Sequence, residues 1–215
     1  MNARKNETKN IESNIKFTHL NLHTEYSQAG IIKIESLAKR LKELGMTSVA
    51  ITDNGNMFGA IEFYKIMKKH GIKPIIGLQT HIQTHIQTHI QTRVSNKYRK
   101  PPLFSLFAKN KVGYKNLMYL ATKGCLHAVY GKATITKEIL RKHCEGLICT
   151  SASLKGKIAW RLNLDSNSKN AALESALTYK DIFGEDFYIE IIRLDKELHD
   201  DYLIRLSKET GMCVI

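Results

Sequence analysis

Apolar positions recur along this chain at two periods. Ile34, Leu37, Ala38, Leu41 and Leu44 share one side of a 3.6-residue repeat, which predicts a helix over Ile34–Leu44 closed by Gly45. Phe58–His70 repeats the pattern through Ile61, Phe63, Tyr64 and Met67 and is closed by Gly71. Short runs between and before them, Lys16–Leu22, Ser48–Thr52 and Lys73–Ile76, read as strands. The second half keeps the rhythm. Leu103–Ala108 reads as a strand and Val112–Thr122 as a helix. A helix over Thr136–His143 has Thr136 at its N-cap, and Gly146–Thr150 is a strand. Ala171–Phe183 reads as a helix, Phe187–Ile192 as a strand and Lys196–Thr210 as a helix, and a last strand begins at Cys213–Ile215. Alternation of this kind predicts parallel strands joined by helices, a barrel of β/α units with no internal boundary.

One segment breaks the rhythm. Residues 81–92 are HIQT three times over, with Ile or Thr at every even position. Strict alternation with β-branched residues on one face favours a strand or a hairpin arm. A helix would instead stack His81, His85 and His89 at i, i+4, a spacing that gathers an adventitious metal ion. The plainest reading is a tandem duplication that lengthened a surface loop after the Pro74–Gly77 strand, so residues 80–100 form a low-complexity insert and loop. Uncharged and free of proline, the repeat also invites edge-to-edge association.

Composition narrows the class. With 215 residues and 43% hydrophobic content the chain is long enough for one domain with a sizeable core. No apolar run approaches a membrane span, and the polar start carries no secretory signal. The first fifteen residues read as a disordered basic arm and 16–215 as the domain. Four cysteines without CxxC spacing read as reduced thiols, mostly buried, in a cytoplasmic protein. A net charge of +13 suits polyanionic partners, yet no RNP-like aromatic motif or recognition-helix pattern accompanies it.

Three blocks carry a resemblance: FTHLNLHTEYS (Phe17–Ser27), VAITDNGNMFGAIEFY (Val49–Tyr64) and GIKPIIGLQ (Gly71–Gln79). AKNKVGYKNLM and YKDIFGEDFYIE extend it over the second half. Together they resemble the PHP domain (polymerase and histidinol phosphatase) of the bacterial DNA polymerase III alpha subunit. The resemblance implies a distorted (β/α)7 barrel, here expected to be incomplete at the C-terminus. It also implies divalent metals (zinc, manganese or magnesium) held by ligands at the C-terminal ends of strands. The partners it implies are DNA, the other polymerase III holoenzyme subunits and the rest of an alpha subunit, with no membrane. No polymerase palm motif is present, so this chain alone is not expected to polymerise DNA.

Carried over position by position, the resemblance leaves His23 and Asp53 as surviving metal-ligand positions. The other ligand positions fall on Asn21, Asn54, Gln79, Leu103, Ser153 and Leu194, and Lys157 replaces a glutamate. Neutral amides bring no charge, leucines cannot coordinate, and a lysine repels a metal. Two ligands are too few for a stable zinc or manganese centre, so no cofactor and no confident catalytic residue is expected. Each survivor also has a plain structural reading. His23 suits a hydrogen-bonded cleft histidine, and Asp53 before Asn54-Gly55 can cap the next turn. His19 reads as structural, and His70, His127, His143 and His199 as solvent-facing. Glu62 and Glu190 are retained, but a lone carboxylate proves no catalysis.

Two readings from different classes follow, with a weaker third. The first is a structural, catalytically inactive PHP domain. The second is a metal-dependent 3′–5′ exonuclease or phosphoesterase with a rearranged site. The third is a basic nucleic-acid-binding remnant.

Overall fold

A computed structural model describes residues 17–28, 30–83, 102–129, 131–152, 156, 158, 168–191 and 200–215. The basic arm, most of the HIQT repeat, Ser153, Lys157, Leu194 and His199 lie outside these residues. The elements run α1 (Ile34–Glu43), β1 (Ser48–Ile51), α2 (Ala60–Lys69), β2 (Lys73–Gln83), β3 (Leu103–Ala108), α3 (Lys111–Leu126), β4 (Thr134–Thr136) and α4 (Lys137–Lys142). They continue with β5 (Leu147–Thr150), α5 (Ser168–Phe183), a 3-10 turn at Gly184–Asp186, β6 (Phe187–Ile189), α6 (Asp200–Thr210) and β7 (Cys213–Val214).

All seven strands belong to one sheet in the order β1-β2-β3-β5-β6-β7, with β4 also on β2. β2 organises it. β3 runs along one edge, while the other edge takes β1 at Lys73–Ile76 and β4 at His81–Gln83. The pairings β1–β2, β2–β4, β5–β6 and β6–β7 are parallel. β3 departs from the expectation of parallel strands, because it is antiparallel to both β2 and β5. A parallel neighbour needs a crossover, usually helical, and the period-2 repeat between β2 and β3 carries no helical pattern.

β2 is also longer than its sequence signal. It runs seven residues past Ile76 and takes in His81–Gln83, so the start of the repeat lies in the sheet and not in a surface loop. Thr80 and Ile82 are buried on one face. His81, in a strand and half-buried, pairs with Leu103 on one side and Thr134 on the other, so no helical His stack begins there. The expected Lys16–Leu22 strand is reduced to a single bridge between His19 and Val49. The Thr52 hydroxyl accepts from the Leu22 amide at 3.0 Å, so a side chain takes the place of a ladder partner.

Two apolar clusters hold the layers. Ile34, Ala38 and Leu41 of α1 pack with Phe63 and Met67 of α2 and Val49 and Ile51 of β1. The larger cluster joins Leu78, Ile82, Phe104, Leu106 and Cys149 to Leu117 and Leu120 of α3 and Tyr179 of α5. On α2 the buried set is Ala60, Phe63 and Met67. Ile61 and Tyr64, expected inside, face solvent because α2 meets the sheet along a narrower stripe. Thr136 caps α4 as expected, its hydroxyl accepting from the Ile139 amide. Gly113 sits where α3 meets the loop before β5; a Cβ there would lie 1.8 Å from the Gly146 carbonyl oxygen. Among the described residues no helix is long and apolar enough to cross a membrane.

Candidate functional site at the strand ends

The site is built from the sheet face opposite the large core. Cα partners share a face, so the pairs Asn54–Gln79, Gln79–Ser105 and Ser105–Thr150 form one row across four segments. Gln79, Ser105 and Thr150 are all buried. The row is polar yet neutral: the Gln79 amide donates to the Ser105 hydroxyl at 3.3 Å. It ends at Glu190, which follows β6 and accepts from the Thr150 hydroxyl.

Asp53 stands just beyond β1, only 1% exposed. Its Oδ1 accepts from the Thr24 amide at 2.6 Å and the Ser27 hydroxyl at 2.9 Å, and its Oδ2 accepts from the Thr24 hydroxyl at 2.7 Å. Ser27 in turn accepts from the Asn54 amide at 2.9 Å. The carboxylate therefore clamps the loop from Thr24 to Ser27 against the end of β1. Gly30 closes that loop so tightly that a Cβ would lie 1.7 Å from the Thr24 carbonyl oxygen. Beside the clamp, the exposed Tyr26 hydroxyl donates to Glu62, and that bond raises the phenol above its ordinary value.

His23 is half-buried, and its Nδ1 is buried without a hydrogen-bond partner among the described residues. Glu190 has a similar orphan: Oε1 accepts no hydrogen bond there. Burial pushes the Glu190 carboxyl up, while the Thr150 hydroxyl and the Ala152 backbone pull it back. Burial, with Glu190 nearby, also pushes the Cys149 thiol up, so it stays protonated. Ala152 marks the same corner with φ of 55°, a left-handed turn that costs a non-glycine residue about 1 kcal/mol.

The remaining positions scatter. Asn21 and Asn54 have exposed side chains, and Leu103 is a buried apolar residue bridged to Gly156. Among the described residues no three His, Cys, Asp or Glu side chains stand close enough to share a metal. Among the described residues, the side chains at the carried-over positions do not fit a multi-metal centre. Asp53 spends both oxygens on the Thr24–Ser27 loop, and Gln79 and Leu103 bring no charge. His85, His89, Ser153 and Leu194 lie outside the described residues. The cysteines correct one expectation: Cys149 is buried, but Cys125 and Cys213 are exposed and Cys144 is intermediate.

Sequence reasoning missed Thr24, Ser27, Ser105 and Thr150 as partners. Ser105 could have been found, being the only polar residue in LFSLFA.

The family model described as "PHP domain" matches residues 19–193. The chain belongs to the PHP domain family. This PHP chain is 45% identical over 219 residues to the DNA polymerase III subunit alpha of Helicobacter pylori, covering 95% of this chain and 18% of that protein. To the same subunit of Campylobacter jejuni it is 45% identical over 212 residues, 93% of this chain and 17% of the relative. It thus spans about a sixth of the length of the curated relatives it matches. Among solved structures, a protein of Bifidobacterium adolescentis described as a metal-dependent phosphoesterase superposes with a TM-score of 0.59 at 10% identity, covering 92% of this chain and 85% of that one. The open, curled sheet of the described residues is therefore that of an incomplete distorted (β/α) barrel of the PHP fold.

Proposed function

We propose that this PHP domain works in the cytoplasm as a structural part of a DNA polymerase III alpha-type replicative polymerase and does not hydrolyse phosphoesters. One observation carries the reading. The Asp53 carboxylate, at a position where the family would place a metal ligand, is consumed by three donors from Thr24 and Ser27. The neutral row of Gln79, Ser105 and Thr150 supports it, because such a row closes the sheet without collecting positive charge. The domain then braces the polymerase body, with DNA and the other holoenzyme subunits as its wider partners.

The phosphoesterase or 3′–5′ exonuclease reading draws on His23, whose buried Nδ1 lacks a partner among the described residues. The two separate by metal analysis of protein purified without a histidine tag, together with manganese- or zinc-dependent cleavage of a single-stranded oligonucleotide. The structural reading expects substoichiometric metal and no cleavage. Stoichiometric metal with turnover that disappears in His23→Ala would overturn it.

A further inference from the structure

Helix α3 presents a stripe unrelated to the strand-end site. Lys111, Lys115, Tyr119 and Lys123 follow one another at four-residue spacing, which places neighbours on the same side of a helix. From Lys109 to Glu145 the chain carries eight lysines and arginines against Glu138 and Glu145, and two of the eight, Lys109 and Arg141, pair with Asp186 and Asp181. The stripe has an aromatic centre. Tyr119 is 40% exposed, and its ring stacks on His143 at the end of α4, centroids 4.0 Å apart and planes 28° from parallel. Asn116 fixes the stack from below: its amide nitrogen donates to the Glu145 carbonyl at 2.8 Å, and its oxygen lies 3.4 Å from His143 Nδ1. The Lys123 ammonium lies 5.5 Å from the Tyr119 ring centre. Lys111 stands at the positive end of α3, whose first turn holds no acidic residue. A stripe meant only for solvation needs neither a preassembled two-ring stack nor a cation at that end.

We propose that the outer face of α3 and α4 is a docking surface for single-stranded nucleic acid. Lys111, Lys115, Lys123 and Lys142 contact phosphates, and the Tyr119–His143 pair extends its stack onto a base. The chemistry is sequence-tolerant, since every base offers a π-face and no base-edge reader lies on the stripe. The proposal rests on these outer helices and stands whether or not the strand ends bind metal.

The test is fluorescence anisotropy of a labelled oligothymidylate on the full chain, with salt varied from about 50 to 200 mM. Joint Lys115→Gln, Lys123→Gln and Lys142→Gln substitution is expected to weaken binding about tenfold and flatten the salt slope by about one unit for each phosphate left without its lysine. Tyr119→Leu is expected to weaken it about tenfold with the slope unchanged, as removal of a stacking platform does. His143→Ala should act in the same sense, which guards against a Tyr119 variant that misfolds. An equal charge loss on α2, by Lys65→Gln, Lys68→Gln and Lys69→Gln, should change affinity less than about twofold. The proposal is overturned if the α2 variant loses as much as the α3–α4 variant, or if neither aromatic variant weakens binding. It also falls if polyglutamate competes as well as the oligothymidylate, which would mark an acidic protein as the partner.

Discussion

Two buried carboxyl groups stand at strand ends in this domain, and they are treated in opposite ways. Asp53 meets three donors and has both oxygens engaged. Glu190 meets the Thr150 hydroxyl and the Ala152 backbone, keeps Oε1 without a partner among the described residues, and is pushed up by burial. The difference teaches that one strand end satisfies a buried carboxyl group with donors and the other leaves it partly unmet. The first corner is a hydrogen-bonded clamp on the Thr24–Ser27 loop. The second kept an acid that the fold holds more comfortably with a proton.

The sharpest way to break the comparison is Asp53→Ala. It strands the Thr24 amide and two hydroxyls in a buried site, and about 4 kcal/mol of stability should be lost in urea denaturation. Loss below about 1 kcal/mol would show that the clamp is incidental. Gly30→Ala attacks the same corner without touching its charge. Its Cβ meets the Thr24 carbonyl, and about 2 kcal/mol should be lost by the same measurement. Ser105→Ala removes only the acceptor of the Gln79 amide and should cost about 1 kcal/mol.

Glu190→Gln gives the smallest effect, and gives it in acid. Because folding raises the Glu190 pKa, its stabilising contribution is fully present below the ordinary value near 4.5. That contribution is lost as pH rises through the raised folded value. Wild type should therefore lose stability relative to the glutamine variant as pH climbs from about 4 towards 7, read from unfolding midpoints. Midpoints that stay parallel across this range would remove the contrast between the two corners.

Much of the scaffold was legible in advance because it is local. Glycine stops closed α1 and α2, Thr136 capped α4, and β3 and β5 fell within a residue of their apolar runs. What escaped depends on approach in space. No period distinguishes an antiparallel β3 from a parallel one, since the face alternates identically in both. Ile61 and Tyr64 fitted a helical face yet lie outside, because the width of the buried stripe is set by the sheet beneath. His143 read as solvent-facing and instead stacks on Tyr119, a pairing across 24 positions that no local window sees. At the site, Asp53 was visible as a strand-end carboxylate, but its three donors come from a loop about 29 residues earlier. The orphan oxygen of Glu190 is a consequence of burial, which composition does not encode at a single position.

The placement of His81–Gln83 within β2 bears on how this gene tolerates copying errors. Four is an even number, so gain or loss of one HIQT unit leaves the inward positions of Thr80 and Ile82 a threonine and an isoleucine, and Gln79-Thr80 already continues the same phase. Slippage in the tract that encodes it is thus invisible to the sheet's alternation, whereas an insertion of one or three codons would turn the strand's apolar side outward.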